Sequence, residues 1–226
     1  MAEDVVHTGI PGLDDLMEGG FDRGSVTLIS GKTGTGKSIF SLQFAYTGAV
    51  SYGESTLYIT TEETSEYLKK QAARFGWDLT ALEKSKKLMI MSFDPFDIDL
   101  LTTKILDALK GFPVHRVVID SVSMLEMYVS DTYRTRKALF KFLQGLKQMG
   151  VTILLTAEIP EDSANLSRSG VMEFLVDSVI VMQYLAITKY KRSLLIRKMR
   201  TRNHSMNIHP FEIGEKGIVV QTLGAR

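Results

Sequence analysis

Gly31-Lys32-Thr33-Gly34-Thr35-Gly36-Lys37-Ser38 is the stretch that decides the fold. It satisfies the pattern G-x-x-x-x-G-K-[ST], a loop that wraps its backbone around phosphate oxygens. Immediately before it, Ser25 to Ser30 (SVTLIS) is β-branched and apolar and reads as a buried strand. Immediately after it, Ile39 to Val50 reads as a helix. A strand–loop–helix setting is what the motif requires. The glycines let several N–H groups turn inward, and the helix N-terminus adds partial positive charge. In this setting Lys37 reaches the β- and γ-phosphates, and the Ser38 hydroxyl ligates Mg²⁺. Gly31, Thr33, Gly34, Thr35, Gly36 and Ile39 complete the expected nucleotide-binding segment.

The 226 residues suffice for one α/β domain with a substantial core. Hydrophobic residues make up 44% and charged residues 23%, an ordinary globular composition. A net charge of +1 gives no global grip on nucleic acid or anionic membrane, so either would need a local patch. The absence of cysteine excludes disulfides, thiolate metal sites and cysteine nucleophiles, and it fits a cytoplasmic protein. The N-terminus, MAEDVVHTGI, is acidic and does not read as a signal peptide. The longest apolar run, residues 171–187, is interrupted by Glu173, Asp177 and Gln183. It reads as a helix end followed by a buried strand, so no membrane insertion is expected.

Outward from the loop, strands and helices alternate. Strands are predicted at Thr56–Thr60, Leu88–Ser92, Arg116–Asp120 and Val151–Ala157. Between them run helical stripes: Leu68, Ala72 and Phe75; then Ile98, Leu101, Ile105 and Leu109; then Leu139, Phe142, Leu143, Leu146 and Met149. Residues 9–24 are turn-rich around a short helix-like piece. Strand–helix alternation implies right-handed crossovers and a mainly parallel sheet. After Gly170 four strands follow in succession, at Ser178–Tyr184, Arg192–Met199, His209–Ile213 and Gly217–Val220. These read as an antiparallel extension of the sheet edge. No linker or repeat interrupts the chain, so residues 1–226 read as one domain.

Beyond the loop, Asp120 ends an apolar strand, the position of a carboxylate that holds Mg²⁺ through water. The alternative is an acid capping the next turn. Glu62 and Glu63 follow a strand of the same sheet, whose carboxyl edge is where ligands bind. Either could polarise an attacking water; equally, both could simply favour a helix N-terminus. Arg192 to His204 (RSLLIRKMRTRNH) is the densest basic stretch, extended upstream by Lys189 and Lys191. Three readings stay open for it: a charged edge strand, a nucleic-acid patch, or positive charge for a phosphate on a neighbouring subunit. The loop Glu158–Gly170 lies at the carboxyl edge too. Thr156 and Glu158 could sense the γ-phosphate there, or the loop could be a mobile surface segment. No N-K-x-D guanine motif is present, which favours ATP.

On these residues the chain resembles the KaiC-like branch of the RecA/RadA ATPases, from Thr8-Gly9-Ile10-Pro11-Gly12 through Gly217-Ile218-Val219-Val220. The markers are the GKTGTGKS loop, the Glu62-Glu63 pair, Val118-Ile119-Asp120-Ser121, and Lys198-Met199-Arg200 followed by His204. The resemblance implies a RecA-like P-loop fold and a Mg²⁺-dependent ATPase. It implies that Glu62 or Glu63 is the catalytic base and that Lys198 and Arg200 reach the γ-phosphate of the next protomer. His204 would lie near the nucleotide. It further implies a homo-oligomeric ring, usually a hexamer, serving as a regulatory switch with an unidentified protein partner. Clock-type KaiC carries two such domains in tandem, whereas this chain has one. Its phosphorylation pair corresponds to Glu173 and Phe174 here, so a clock-type phosphorylation cycle is not expected at that place. An alternative is a RadA-paralogue-like ATPase that binds single-stranded DNA. Nucleic acid is not favoured, because the Glu158–Gly170 loop holds one basic residue, Arg168, and no aromatic. A third reading is a scaffold that binds ATP with negligible turnover.

Overall fold

The computed structural model describes residues 5–93, 98–127, 132–161, 163–185 and 190–221. Lys189, named above as part of the basic stretch, lies outside the described residues, as does the end of the apolar run at 186–187. The first strands, β1 (Val5–Val6) and β2 (Phe21–Asp22), pair antiparallel beside a single 3₁₀ turn at Asp14–Met17. The main chain of events begins with β3 (Val26–Gly31) and α1 (Lys37–Ser51). There follow β4 (Thr56–Thr60), α2 (Ser65–Ala73), α3 (Leu79–Lys84), β5 (Leu88–Ser92) and α4 (Ile98–Gly111). Next come β6 (Arg116–Asp120), α5 (Ser123–Met127), α6 (Thr132–Lys147), β7 (Thr152–Glu158), α7 (Met172–Leu175) and β8 (Ser178–Tyr184). The chain closes with β9 (Arg192–Met199), β10 (Ile208–Gly214) and β11 (Gly217–Val220).

Nine strands form one sheet in the order β11-β10-β9-β8-β3-β7-β6-β4-β5. The six from β8 to β5 are parallel, and β9, β10 and β11 are antiparallel. The predicted antiparallel extension is therefore one strand shorter than expected. Ser178–Tyr184 runs parallel to β3, because the segment containing α7 carries the chain back across the sheet before β8 begins. The central strands β3, β4 and β6 are buried at every residue, as a sheet covered on both faces requires.

The two coverings are distinct. On one face α1, α2 and α3 pack Phe40, Phe44, Leu68 and Leu79 against Ile29, Tyr58 and Val118. On the other, α4, α6 and α7 pack Leu101, Ile105, Leu139, Leu143 and Met172 against Leu28, Leu57 and Ile119. Alternation along each strand sends successive side chains to opposite layers. This sidedness follows from right-handed crossovers.

Two short helices, α3 and α5, were not legible in the hydrophobic stripes. For α3 a signal existed: Asp78 accepts a 2.9 Å hydrogen bond from the Ala81 N–H and caps the helix. Helix α2 ends at Ala73, and Phe75 continues the apolar stripe from the following turn, stacked on Trp77.

One buried brace ties the phosphate-loop helix to the Asp120 strand. Arg116, fully buried at the start of β6, places Nε 2.7 Å and Nη2 2.6 Å from Glu54 Oε2. Its Nη1 donates to the Phe44 carbonyl of α1 at 2.9 Å, and the guanidinium lies 4.3 Å from the Phe44 ring centre. Gly48 makes room, since a Cβ there would sit 2.6 Å from Arg116 Nε. Burial draws the guanidinium below its usual range, and Glu54 opposes that.

Candidate functional site

The phosphate loop sits at the C-terminal end of β3, between β7 and β8, at the carboxyl edge of the parallel sheet. Gly34 (φ 76°) and Gly36 (φ 108°) occupy left-handed backbone that a side chain would strain. Gly31 faces a close neighbour: a Cβ would lie 2.5 Å from the Met182 carbonyl oxygen. Thr35 is buried and its hydroxyl donates to the Lys32 carbonyl at 2.9 Å, which fixes the turn. The Ile39 side chain packs toward the core, so only its backbone can face a ligand. Ser38 stands in the first turn of α1.

Lys37 lies across this loop. Its Nζ donates to the Gly31 carbonyl at 2.9 Å and the Lys32 carbonyl at 3.0 Å. Burial pushes its ammonium below the usual lysine range, while the negative charges of Glu158, Asp120 and Glu62 pull it back up. Three carboxylates from three different strand ends therefore converge on one cation.

Each of the three is held. Asp120, buried at the end of β6, accepts from the Tyr58 hydroxyl at 2.8 Å and from the Thr156 hydroxyl on its other oxygen. Thr156, offered above as a phosphate sensor, is buried and committed to Asp120. Glu62 accepts from the Ser121 hydroxyl at 2.5 Å, next in sequence to Asp120. The Thr61 N–H donates to the Asp120 carbonyl at 3.0 Å, which ties the ends of β4 and β6 together. Glu158 accepts from the Thr33 hydroxyl, and its N–H donates to Ser123 Oγ at 2.8 Å. Glu63 instead uses its backbone, exchanging 3.0 Å hydrogen bonds with Thr60 Oγ1.

Three contributions escaped the sequence reading. Tyr58 is the first: a tyrosine inside an otherwise aliphatic buried strand must find a partner for its hydroxyl, and that was the available signal. Burial and the Asp120 charge push its phenol well above the usual tyrosine range, so it remains a donor. Tyr184 and Arg192, from the end of β8 and the start of β9, are the second. The Tyr184 hydroxyl donates to the Thr33 carbonyl at 3.3 Å, and Arg192 Nη2 donates to the Gly34 carbonyl at 3.3 Å. Arg192 also covers the Tyr184 ring at 5.5 Å. The third is the anchoring of the Glu158–Gly170 loop. Buried Glu126 accepts from the Arg168 N–H at 3.1 Å and from Ser169, and Glu173 accepts from the Leu166 N–H at 2.9 Å and the Ser167 hydroxyl at 2.5 Å. Residues 166–169 of that loop are thus each tied to one of two glutamates.

Lys198, Arg200 and His204 are not brought to this mouth. Lys198 Nζ donates to the Val176 carbonyl at 2.6 Å and the Glu173 carbonyl at 3.0 Å, at the end of α7. Burial, and secondarily Arg200, push its ammonium below the usual lysine range. Arg200 Nη2 donates to the Phe174 carbonyl at 2.9 Å, and its Nη1 lies 3.6 Å from Asp177. Asp177 accepts from the N–H of Val26, the first residue of β3, whereas the phosphate loop begins at its last residue. Five strand steps separate the two levels, about 16 Å at ~3.3 Å per residue. His204 follows in the turn between β9 and β10, beside Leu16 and Glu18.

The donor set suits Mg²⁺. A hydroxyl at Ser38 and a carboxylate at Asp120 whose oxygens are already oriented leave a hard, water-retaining cation to be shared with substrate phosphates. Among the described residues no group of three or more His, Asp or Glu forms a cage for a resident metal. With Mg²⁺ bound there, the hydroxyl of Tyr58 would act on it only through Asp120. Tyr58→Phe is expected to weaken metal binding in the presence of ATP about tenfold, the loss of one hydrogen bond to a charged group. Titration with Mn²⁺ followed by electron spin resonance checks this; unchanged Mn²⁺ affinity in a variant of normal melting temperature would contradict it.

A glycine-rich phosphate loop at a topological switch of a parallel sheet, facing a lysine and convergent carboxylates, defines a P-loop ATPase of RecA-like architecture. Comparison with known proteins narrows the class. Residues 6–225 match the family model described as "ATPase: KaiC". The chain is 36% identical to the circadian clock oscillator protein KaiC of Prochlorococcus marinus, over 97% of this chain and 45% of that protein. It is likewise 36% identical to the KaiC of Synechococcus elongatus, over 97% of this chain and 44% of that protein. The crystal structure of a KaiC-like protein from the hyperthermophilic archaeon Pyrococcus horikoshii OT3 superposes with a TM-score of 0.88 at 41% identity, covering 96% of this chain and 99% of that one. The chain belongs to the KaiC ATPase family. It spans less than half the length of the curated clock relatives it matches. Among the described residues no helix is long and apolar enough to cross a membrane.

Proposed function

We propose that this chain binds ATP with Mg²⁺ at the phosphate-loop mouth, hydrolyses it at a site completed by a second copy, and uses the nucleotide state as a regulatory switch. Lys37 exchanges the Gly31 and Lys32 carbonyls for phosphate oxygens. Ser38 and Asp120 hold Mg²⁺, which supplies charge neutralisation between the phosphates. Glu62 accepts the proton of the attacking water; its carboxylate is oriented by Ser121 and its charge is felt at Lys37. Lys198 and Arg200 offer positive charge to the phosphates of the neighbouring copy, with His204 beside them.

The observation that carries the shared-site reading is the distance of these cations from their own phosphate loop, at the opposite end of the same strands. A cation there serves a phosphate only on another chain. His204 fits the same reading, since its buried Nε2 has no hydrogen-bond partner among the described residues. The hexameric ring is the assembly that the family likeness suggests, and a cytoplasmic setting fits the lack of cysteine.

A shared site makes activity depend on association. Turnover per chain is expected to rise with protein concentration and level off once light scattering reports a full assembly. Constant turnover per chain, down to concentrations where the particle is a monomer, would contradict a shared site.

A further inference from the structure

Arg200 and His204 lie in the turn that joins β9 to β10, residues 200–207. Four residues of that turn bond to the N-terminal segment of the chain. The Thr201 hydroxyl and Arg202 Nε both donate to the Asp22 carboxylate, one to each oxygen. Asn203 Nδ2 donates to Glu18 Oε1 at 3.1 Å, and the Ser205 N–H donates to the Leu16 carbonyl at 2.9 Å. Arg202 and Asp22 are only 21% and 23% exposed, so solvent and salt loosen their pair less than an open surface pair. Glu18 closes the 3₁₀ turn at φ 51°, left-handed backbone where glycine is the usual occupant. A glutamate there takes on strain that glycine would avoid, and its side chain gains the bond to Asn203.

Asp22 is itself firmly set. Its neighbour Phe21 is fully buried and packs on Phe44 of α1, with ring centres 5.9 Å apart. Asp22 pairs with Val5 across β1 and β2. Its carbonyl accepts the Ser25 N–H at 3.1 Å and the Ser25 hydroxyl at 2.7 Å. Val26 then begins β3 and donates its N–H to Asp177, the carboxylate beside Arg200. Asp22 thus stands at the Arg200 end of β3, not at the phosphate-loop end. Arg200 is held from two directions. The Phe174 carbonyl takes its guanidinium, and Asp22 fixes the two residues that follow it.

We propose that Asp22 is a positioning residue for the shared site: its carboxylate locks the turn that presents Arg200 and His204 to the phosphates of the neighbouring copy. This inference rests on the shared-site reading and deepens it. Asp22 reaches the reaction only through Thr201 and Arg202. A cation aimed across a subunit boundary gains from being set before the neighbour arrives, because a displacement of about 1 Å costs on the order of 10²-fold in rate.

Subunit mixing tests it. Asp22→Ala is expected to lower turnover by about 10- to 100-fold, with retention of a fluorescent ATP analogue unchanged. Thr201→Val removes one bond from the other side and should lose less; the double variant should lose no more than Asp22→Ala alone. Mixed with Lys37→Ala, whose turn is intact, Asp22→Ala should regain turnover. Mixed with Arg200→Ala, deficient on the same side, it should gain nothing above the sum of its components. Rescue by Arg200→Ala alone would put Asp22 on the phosphate-loop side and overturn the proposal, as would normal turnover by a folded Asp22→Ala. Rescue by neither, while Lys37→Ala and Arg200→Ala rescue each other, would reduce Asp22 to a fold residue. Should Asp22→Ala melt early, Thr201→Val, which leaves the ion pair in place, carries the same mixing test. Failure of Lys37→Ala and Arg200→Ala to rescue each other would instead remove the shared site, and this role with it.

Discussion

Replacing Arg200 by alanine is expected to lower ATP turnover by about 10³- to 10⁵-fold, the range over which a trans-acting arginine stabilises phosphoryl transfer. Nucleotide binding by the same chain should be nearly unchanged, because the guanidinium lies at Asp177, at the far end of β3 from the phosphate loop. Arg200→Lys should recover little, since a lysine lacks the planar fork that grips phosphate oxygens in pairs. Arg200 also donates to the Phe174 carbonyl, so the melting temperature must be measured alongside. A stable variant that turns over normally would remove Arg200 from the reaction.

The second large effect concerns the two glutamates, which the sequence left equivalent. Glu62→Gln is expected to reduce turnover by about 10²- to 10⁴-fold, the usual contribution of a positioned general base. ATP should still bind. Glu63→Gln should remain close to the unaltered chain. The distinction comes from geometry: Glu62 is held by Ser121 and acts electrostatically on Lys37, whereas Glu63 engages Thr60 through its backbone. The reverse order of effects in single-turnover hydrolysis would exchange the two roles.

Local pattern and spacing made most of the fold legible. The phosphate loop announced its own strand and helix, and strands such as Arg116–Asp120 and Thr56–Thr60 appear with the expected bounds. What stayed hidden was set by distance along the chain. The direction of β8 depends on how α7 returns the chain across the sheet, and no local period encodes that. Helices α3 and α5 are too short to display a stripe. The hydrogen bonds that orient Asp120 come from Tyr58 and Thr156, 62 and 36 residues away. Likewise the basic stretch Arg192–His204 read as one feature, yet it is split by the strand that carries it. Arg192 sits at the phosphate loop, while Arg200 lies at the opposite end of the sheet. A strand of eight residues is long enough to carry two parts of one basic stretch to opposite edges of the sheet.

The most direct measurement mixes two inactive chains. Lys37→Ala removes the phosphate lysine and leaves Arg200 in place; Arg200→Ala does the converse. Under conditions where labelled subunits demonstrably exchange, the mixture should regain part of the turnover that neither variant has alone, because some interfaces then combine an intact loop with an intact arginine. A mixture as inactive as its components, with exchange verified, would contradict hydrolysis at a site shared between copies.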